Sequence, residues 1–130
     1  MAKVKRLPPA EAEVMGAVWQ MEGSVTVRQV HSRLYPDGEK AYTTVQTVMN
    51  KLVQKGFLAR QKTGMVNFYS RLITLEEAAE EETGTLVSRL FQGSFGALAT
   101  FLVGSGELSQ EELDDLKRLI DEKAEAERRK

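Results

Sequence analysis

The chain has 130 residues, of which 42% are hydrophobic and 28% are charged, as in a soluble globular protein of one or two small domains. The absence of cysteine excludes disulfides, thiolate metal sites and a cysteine nucleophile. No apolar run approaches the roughly 18 residues that a membrane helix needs, and the N-terminal segment MAKVKRLPPAEAE lacks the apolar stretch of a secretory signal. We therefore expect a cytoplasmic protein with no membrane contact.

The net charge of −1 conceals two halves of opposite sign. Residues 1–73 contain eleven Lys and Arg against five Asp and Glu, whereas residues 74–130 contain seven against fourteen. A basic half joined to an acidic half indicates that the first half meets a polyanion and the second does not. The alternative is that the two charged surfaces only keep the protein in solution.

The first predicted helix begins at a pair of prolines. Pro8 and Pro9 favour a helix start, because proline is pre-organised for the first helical position. Apolar residues then recur at helical spacing until Glu22-Gly23 ends the helix. This apolar stripe consists of Ala10, Val14, Met15, Val18, Trp19 and Met21.

The second predicted helix follows the β-prone pair Ser24-Val25. Thr26 and Gln29 have the spacing of a capping box, in which each side chain satisfies a free backbone N–H group of the other residue. The turn-forming residues 35–38, Tyr-Pro-Asp-Gly, then stop the helix. A second helix of about two turns is therefore expected between these signals.

The third predicted helix runs from about Ala41 to Lys55 and has two chemically distinct faces. Its apolar positions follow the helical repeat and are Val45, Val48, Met49, Leu52 and Val53. The opposite face has short polar groups, one cation and no acid, and it consists of Thr43, Thr47, Asn50, Lys51 and Gln54. Because phosphates repel carboxylates, such a helix can pack on a core with one face and approach DNA with the other.

Two β-prone runs follow, at residues 57–62 and 66–71. They flank Thr63-Gly64-Met65, and a three-residue loop that contains glycine indicates a hairpin. The side chains expected on its outward face again include no acid, and they are Arg60, Lys62, Asn67 and Arg71. The hairpin is therefore predicted to present positive charge.

Residues 74–130 are predicted to be helical, with capping boxes that start at Thr74 and Ser109 and a break at residues 92–94. Their large apolar side chains are too many for a short helical appendage to hide alone, so we expect a dimer interface. The interface residues are Leu86, Leu90, Phe91, Phe95, Leu98, Phe101, Leu102, Leu113, Leu116 and Ile120. The alternative is that they pack back on the first half and form one compact monomer.

This order of elements predicts a mainly α protein with a small β-wing. Three helices followed by a hairpin form a winged helix-turn-helix DNA-binding domain, in which the third helix lies in the major groove and the hairpin reaches the flanking backbone. We assign this domain to residues 1–73 and a C-terminal helical dimerisation domain to residues 74–130.

Several stretches resemble the penicillinase and methicillin-resistance repressor family, of the BlaI/MecI type. They are LPPAEAEVMGAVWQMEGSVTVRQVHSRL, AYTTVQTVMNKLVQKGFLARQKTG, FYSRL and GELSQEELDDLKRLIDE, and together they cover roughly residues 6–122. The resemblance implies a homodimeric transcriptional repressor. Its N-terminal domains would bind a palindromic operator in double-stranded DNA, and its C-terminal helices would hold the dimer together.

By position, the resemblance places Thr43, Thr44 and Thr47 where the recognition helix of the family meets the groove, with Tyr42 and Gln46 beside them. Hydroxyl groups donate and accept hydrogen bonds, so they can read base edges or hold phosphates. The alternative for Thr43 is a helix cap, with Gln46 three residues further on. Four cations suit phosphate contacts, with a solvated surface charge as the alternative for each, and they are Arg28, Lys51, Arg60 and Lys62.

The sequence also departs from the family. The penicillinase branch typically has Lys or Arg where this chain has Thr43, and a threonine cannot reach as far, which leaves the operator sequence open. In the antibiotic-resistance branch a sensor-linked protease cuts an Asn–Phe bond. Thr100-Phe101 replaces that pair here. Release by cleavage therefore does not follow from the resemblance, and a sensor-linked protease stays an open partner. The copper-responsive branch has a C-terminal cysteine cluster that this chain lacks, and we expect neither a metal nor a cofactor.

The residues weigh against two other functions and do not decide a third. The single histidine, His31, has no evident partner for acid–base catalysis, and the Glu-rich runs are solvated faces, so we do not expect an enzyme. A winged-helix module that binds proteins instead of DNA would carry acids on the third helix or the hairpin, and neither has any. The residues do not distinguish a DNA-binding activator from a repressor, and only the family resemblance favours a repressor.

Overall fold

The computed structural model describes residues 6–130, which form six helices and one two-stranded sheet. Residues 1–5, which begin both the predicted DNA-binding domain and the N-terminal segment considered above, lie outside the described residues. The elements follow the predicted order, which confirms a mainly α fold with a small β-wing. They are α1 (Pro9–Gln20), α2 (Val27–Leu34), α3 (Tyr42–Gln54), β1 (Leu58–Thr63), β2 (Val66–Arg71), α4 (Leu75–Leu90), α5 (Phe95–Gly104) and α6 (Gln110–Arg128).

The predicted capping boxes form before α2, α4 and α6. In each, a hydroxyl accepts a hydrogen bond from the backbone three residues on, and the side chain there accepts one in return, which stabilises the helix by about 1 kcal/mol. The pairs are Thr26 with Gln29, Thr74 with Glu77, and Ser109 with Glu112. Ser94 caps α5 by accepting from Ala97 N at 3.0 Å, so the predicted break after α4 is confirmed.

One hydrophobic core joins the first three helices to the hairpin. Its largest fully buried side chains include Met15, Val18, Val30, Met49, Leu52, Phe57, Leu58 and Tyr69. The predicted apolar faces need one correction. Val48 and Val53 are half-buried and pack against this core as expected, but Ala10 is exposed, while Glu11 next to it is buried. Burial of each large apolar side chain stabilises the fold by about 1.5–3 kcal/mol, so this core fixes the inner face of α3.

The hairpin has a tighter turn than the sequence suggested. Thr63 pairs with Val66, so the connection is the two-residue turn Gly64-Met65, and the predicted three-residue loop is wrong. Gly64 has a φ of +63°, which glycine adopts freely and which suits the first position of a two-residue turn. Val25 extends the sheet by a bridge, in which the Val25 N–H donates to Tyr69 O at 2.8 Å and the Tyr69 N–H donates back at 2.7 Å.

The chain divides into two compact units, Met1–Thr83 and Gly84–Lys130. The division falls within α4, at residue 83, whereas the boundary predicted from the sequence is at residue 73. The start of α4 belongs to the first unit, where Ala78 is 4% exposed. The segment before α4 is fixed there as well, because Trp19 Nε1 donates to Ile73 O at 2.9 Å.

The C-terminal helices differ in polarity. No residue of α5 is charged, whereas α6 has acidic residues in its first turn and Arg128 in its last. Among residues 6–130, no single helix has the length and apolar character to cross a membrane. The bent pair of α4 and α5, taken together, reaches that length and composition.

Candidate nucleic-acid interface

The polar face of α3 is open to solvent. Thr43, Thr44 and Thr47 are exposed, Tyr42 is 42% exposed, and Gln46 is half-buried. The opposite face is fixed, since its side chains reach the core with at most 1% exposure; these are Val45, Met49 and Leu52. The residues expected to contact the groove therefore lie on a helix that is held firmly from behind.

The first turn of α3 is available to an anion. Among the described residues, no side chain caps this helix. Its N-cap residue is Ala41 and Thr43 lies inside the first turn, so the alternative that Thr43 caps the helix is wrong. A first turn without a capping side chain or an acid presents backbone N–H groups and the positive end of the helix dipole, both of which suit a phosphate.

Thr47 is oriented by a bond within α3. Its Oγ1 donates to Thr43 O, one turn earlier, at 2.9 Å. This bond uses the hydroxyl proton, so the lone pairs of Oγ1 are the part of the group that a ligand can meet. In this rotamer Thr47 suits a donor on a base edge, such as the amino group of adenine or cytosine.

His31 holds the segment that leads into α3. Its Nε2 lies 2.7 Å from Lys40 O, and its ring packs edge-on against the Tyr42 ring with centroids 6.1 Å apart. Lys40 Nζ in turn lies 5.4 Å from the centre of the Tyr35 ring. A turn in the chain thus brings the carbonyl of Lys40 to the imidazole, and His31 has a structural hydrogen-bond partner that the sequence did not reveal.

A cation of β1, Arg60, lies beside α3. Arg60 and Lys62 are both exposed and, two residues apart on one strand, they share a face. Arg60 Nη1 donates to Asn50 Oδ1 of α3 at 2.8 Å, and Tyr69 Oη donates to the same oxygen at 2.9 Å. Asn50, predicted only as part of the polar face of α3, thus links this helix to the hairpin.

Arg71 does not point outward as predicted. Its Nη2 donates to Val18 O at 2.9 Å, Met21 O at 2.5 Å and Gly23 O at 3.2 Å, all at the end of α1. The register explains the difference, since Arg71 pairs with the buried Leu58. Arg71 therefore attaches the end of the hairpin to α1 and is a structural residue.

The remaining predicted phosphate contacts are exposed side chains. Arg28 on α2 and Lys51 on α3 are exposed, whereas Lys55 at the end of α3 lies 2.6 Å from the buried carboxylate of Glu11. Neither α3 nor the two strands contain an acid. The basic side chains here are thus not neutralised by acids of their own elements.

The second unit exposes much of its apolar surface. Four of the predicted interface side chains are at least 60% exposed, namely Leu90, Phe95, Phe101 and Ile120. Leu86, Leu102 and Leu116 are also exposed, and Phe91, Leu98 and Leu113 are half-buried. The rings of Phe91 and Phe101 lie 5.8 Å apart, so part of this surface is already ordered as an aromatic pair.

Comparison with known protein families shows to which family the chain belongs. The profile of the penicillinase repressor family matches residues 7–122. The chain belongs to the penicillinase repressor family. It is similar to the penicillinase repressor of Bacillus licheniformis, with 26% identity over 122 residues that make up 94% of each chain. It is also similar to the transcriptional regulator BlaI of Mycobacterium tuberculosis, with 32% identity over 124 residues, 94% of this chain and 88% of that one.

A solved structure supports the same relationship for the winged-helix part. The solution structure of the DNA-binding domain of the repressor BlaI superposes with a TM-score of 0.51 at 30% identity, and covers 59% of this chain and 93% of that one. As a penicillinase repressor, the chain is a winged-helix transcriptional regulator that binds operator DNA, and repressors of this family are not enzymes. The family predicted from the sequence is thereby confirmed.

Proposed function

We propose that two copies of the chain bind one palindromic operator and thereby repress transcription. In each copy α3 lies in the major groove and the hairpin follows the flanking backbone. The observation that carries this proposal is the exposed polar face of α3, free of acids, beside the exposed cations of β1. Phosphates attract such a surface and would be repelled by one that carries carboxylates.

Residues of the interface divide by the part of DNA that they meet. The contacts with base edges and adjacent backbone come from the start of α3, namely from Tyr42, Thr43, Thr44, Gln46 and Thr47. Hydroxyl and amide groups suit base edges there, because they both donate and accept hydrogen bonds. The phosphate contacts come from exposed cations on α2, α3 and β1, namely Arg28, Lys51, Arg60 and Lys62.

A second copy of the chain is the proposed occupant of the apolar surface on residues 84–130. This surface includes aromatic side chains at 60% exposure or more, such as Phe95 and Phe101, which water solvates poorly. Aromatic and aliphatic residues are enriched at the centre of such interfaces. Tethering two winged-helix domains makes the second half-site contact intramolecular, which raises affinity by ~10²–10⁴ without a new type of contact.

The site of action follows from the operator. A repressor that binds chromosomal DNA acts in the bacterial cytoplasm, which is the location we propose for this protein.

A sensor-linked protease is the further partner suggested by the resemblance. The bond at the place equivalent to the family's cleavage site, Thr100–Phe101, lies inside α5, where Thr100 Oγ1 donates to Gly96 O at 2.9 Å. Because proteases cut extended segments, cleavage there requires local unwinding of α5.

Selection and footprinting test the proposed function together. The purified full chain is used to select duplexes from a random DNA pool, and the enriched duplex is then footprinted. We expect two protected half-sites related by two-fold symmetry, with centres about 10 base pairs or a multiple of that apart. A single asymmetric footprint would contradict the dimer, and a pool without sequence enrichment would contradict specific reading.

Salt dependence gives a second measure on the same duplex. Contact with about six to ten phosphates per dimer releases counterions, so a plot of log affinity against log salt concentration should have a slope of roughly −5 to −9. An affinity that does not change with salt would contradict binding through this surface.

A further inference from the structure

Asn50 joins three elements through one oxygen atom. It lies on α3, and its Oδ1 accepts hydrogen bonds from Arg60 of β1 at 2.8 Å and from Tyr69 of β2 at 2.9 Å. Arginine can only donate, so the amide must turn its oxygen and not its nitrogen toward Arg60. With two donors on this oxygen, the orientation of the Asn50 side chain is fixed.

Tyr69 makes this junction rigid. Its side chain is fully buried, and its backbone exchanges two hydrogen bonds with Val25. The phenol therefore stays in one place, and Asn50 is held against it. Since Arg60 and Tyr69 are directly opposite each other in the register, they share one face of the hairpin. The guanidinium of Arg60 is thereby kept beside α3.

Arg60 is exposed even though it is held. The bond to Asn50 uses one of the five N–H donors of the guanidinium, so the others are available to phosphate oxygens. A free surface arginine samples many rotamers, and binding DNA must immobilise it at an entropic cost. An arginine that already occupies one rotamer avoids most of that cost.

We propose that Asn50 is a positioning residue for DNA binding, which holds Arg60 in its DNA-contacting conformation before DNA arrives. The inference rests on the proposed function in one respect, namely that Arg60 contacts the operator backbone. In this arrangement Asn50 itself does not touch DNA. It acts through Arg60 and makes α3 and the hairpin approach the duplex as one unit.

A double-mutant cycle on the full chain tests this role. Operator affinity is measured for the unmodified chain, Asn50→Ala, Arg60→Ala and the double variant. We expect Asn50→Ala to weaken binding by roughly threefold to tenfold per half-site, which corresponds to the ordering of one long side chain. In the Arg60→Ala background the same substitution should change affinity by less than about twofold, because no guanidinium is left to position.

The salt slope separates positioning from contact. Arg60→Ala removes a phosphate contact, so its slope should be less steep by about 1 per protomer. Asn50→Ala keeps the contact and should keep the slope of the unmodified chain. A slope for Asn50→Ala as shallow as that for Arg60→Ala would overturn the positioning role.

Tyr69→Phe is the graded control, because it removes the other donor and leaves the bond between Asn50 and Arg60. We expect Asn50→Ala to lower the thermal unfolding midpoint more than Tyr69→Phe does, because Asn50→Ala leaves the buried phenol of Tyr69 without an acceptor. Tyr69→Phe should weaken operator binding less than Asn50→Ala, because Asn50 still accepts from Arg60. If both variants weaken binding equally, or if Asn50→Ala has the same effect in both backgrounds, the role of Asn50 is structural and the proposal is wrong. If Arg60→Ala binds the operator with unchanged affinity, Arg60 does not contact the operator backbone, and the positioning role of Asn50 is wrong as well. If the unmodified chain binds no duplex, the proposed function fails as well.

Discussion

Lys55 at the end of α3 forms an ion pair with Glu11 in the first turn of α1, with Nζ and Oε1 2.6 Å apart. The glutamate is 7% exposed and the lysine side chain 27%. A carboxylate that is taken out of water needs a partner, and Lys55 provides it. The pair connects the end of the recognition helix to the helix that supports it.

Removing one partner of this pair should destabilise the fold. We expect Lys55→Met to lower the free energy of unfolding by about 1–3 kcal/mol, less than for a fully buried pair because the lysine retains some water. Adding Glu11→Gln should recover part of the loss, since the unpaired charge is then gone. Urea denaturation measures both effects. Lys51→Met, at an exposed lysine of the same helix, is the control and should change stability by about 0.5 kcal/mol or less.

Arg60 and Arg71 should give opposite phenotypes although both belong to the hairpin. Arg71→Met removes the side-chain donor of three carbonyl groups at the end of α1, of which Val18 O keeps a bond from the Met21 N–H. We expect a loss of about 2–3 kcal/mol in stability. The protein that still folds should bind DNA nearly normally. Arg60→Ala should instead weaken DNA binding at almost unchanged stability. Denaturation and operator titration of both variants decide this, and an exchange of the two phenotypes would contradict the assignment.

The hairpin should contribute affinity more than sequence choice. We expect Arg60→Ala and Lys62→Ala each to weaken binding to operator and to random duplex by similar factors, because phosphate contacts carry no direct sequence information. Fluorescence anisotropy with the two duplexes gives the ratio of affinities. A ratio that shifts by more than about tenfold in either variant would show that the hairpin reads bases.

The apolar surface of the second unit should hold the dimer. Phe101 is 60% exposed, and a charge at the centre of an apolar interface is strongly unfavourable. We expect Phe101→Glu to be monomeric at micromolar concentration, where the unmodified chain is dimeric, as measured by sedimentation equilibrium. Ala12→Glu, an exposed position of α1, is the control and should stay dimeric. An unmodified chain that sediments as a monomer would contradict the interface.

The sequence predicted the elements and the polar face of α3 well, because capping residues, turn residues and the helical repeat are local signals. Its errors concern contacts between distant residues. Arg71 was expected outward because strand alternation alone does not show that the end of α1 lies beside it. His31 and Asn50 acquire their partners, Lys40 and Arg60, only when turns bring separate segments together. The hairpin loop is one residue shorter than predicted because Thr63 pairs with Val66. This pairing register is not determined by composition.

If the exposed face of α3 binds the operator, Thr47→Glu should abolish binding. Thr47 is exposed and its hydroxyl bonds only one turn back along the helix, so the variant should keep its thermal unfolding midpoint. A carboxylate at this position would meet phosphates and base edges, so operator binding should be lost. Ala12→Glu adds the same charge to α1 and should bind normally. The measurement is operator affinity of these two variants: loss for Thr47→Glu alone is the predicted result, and normal binding by Thr47→Glu would contradict the account.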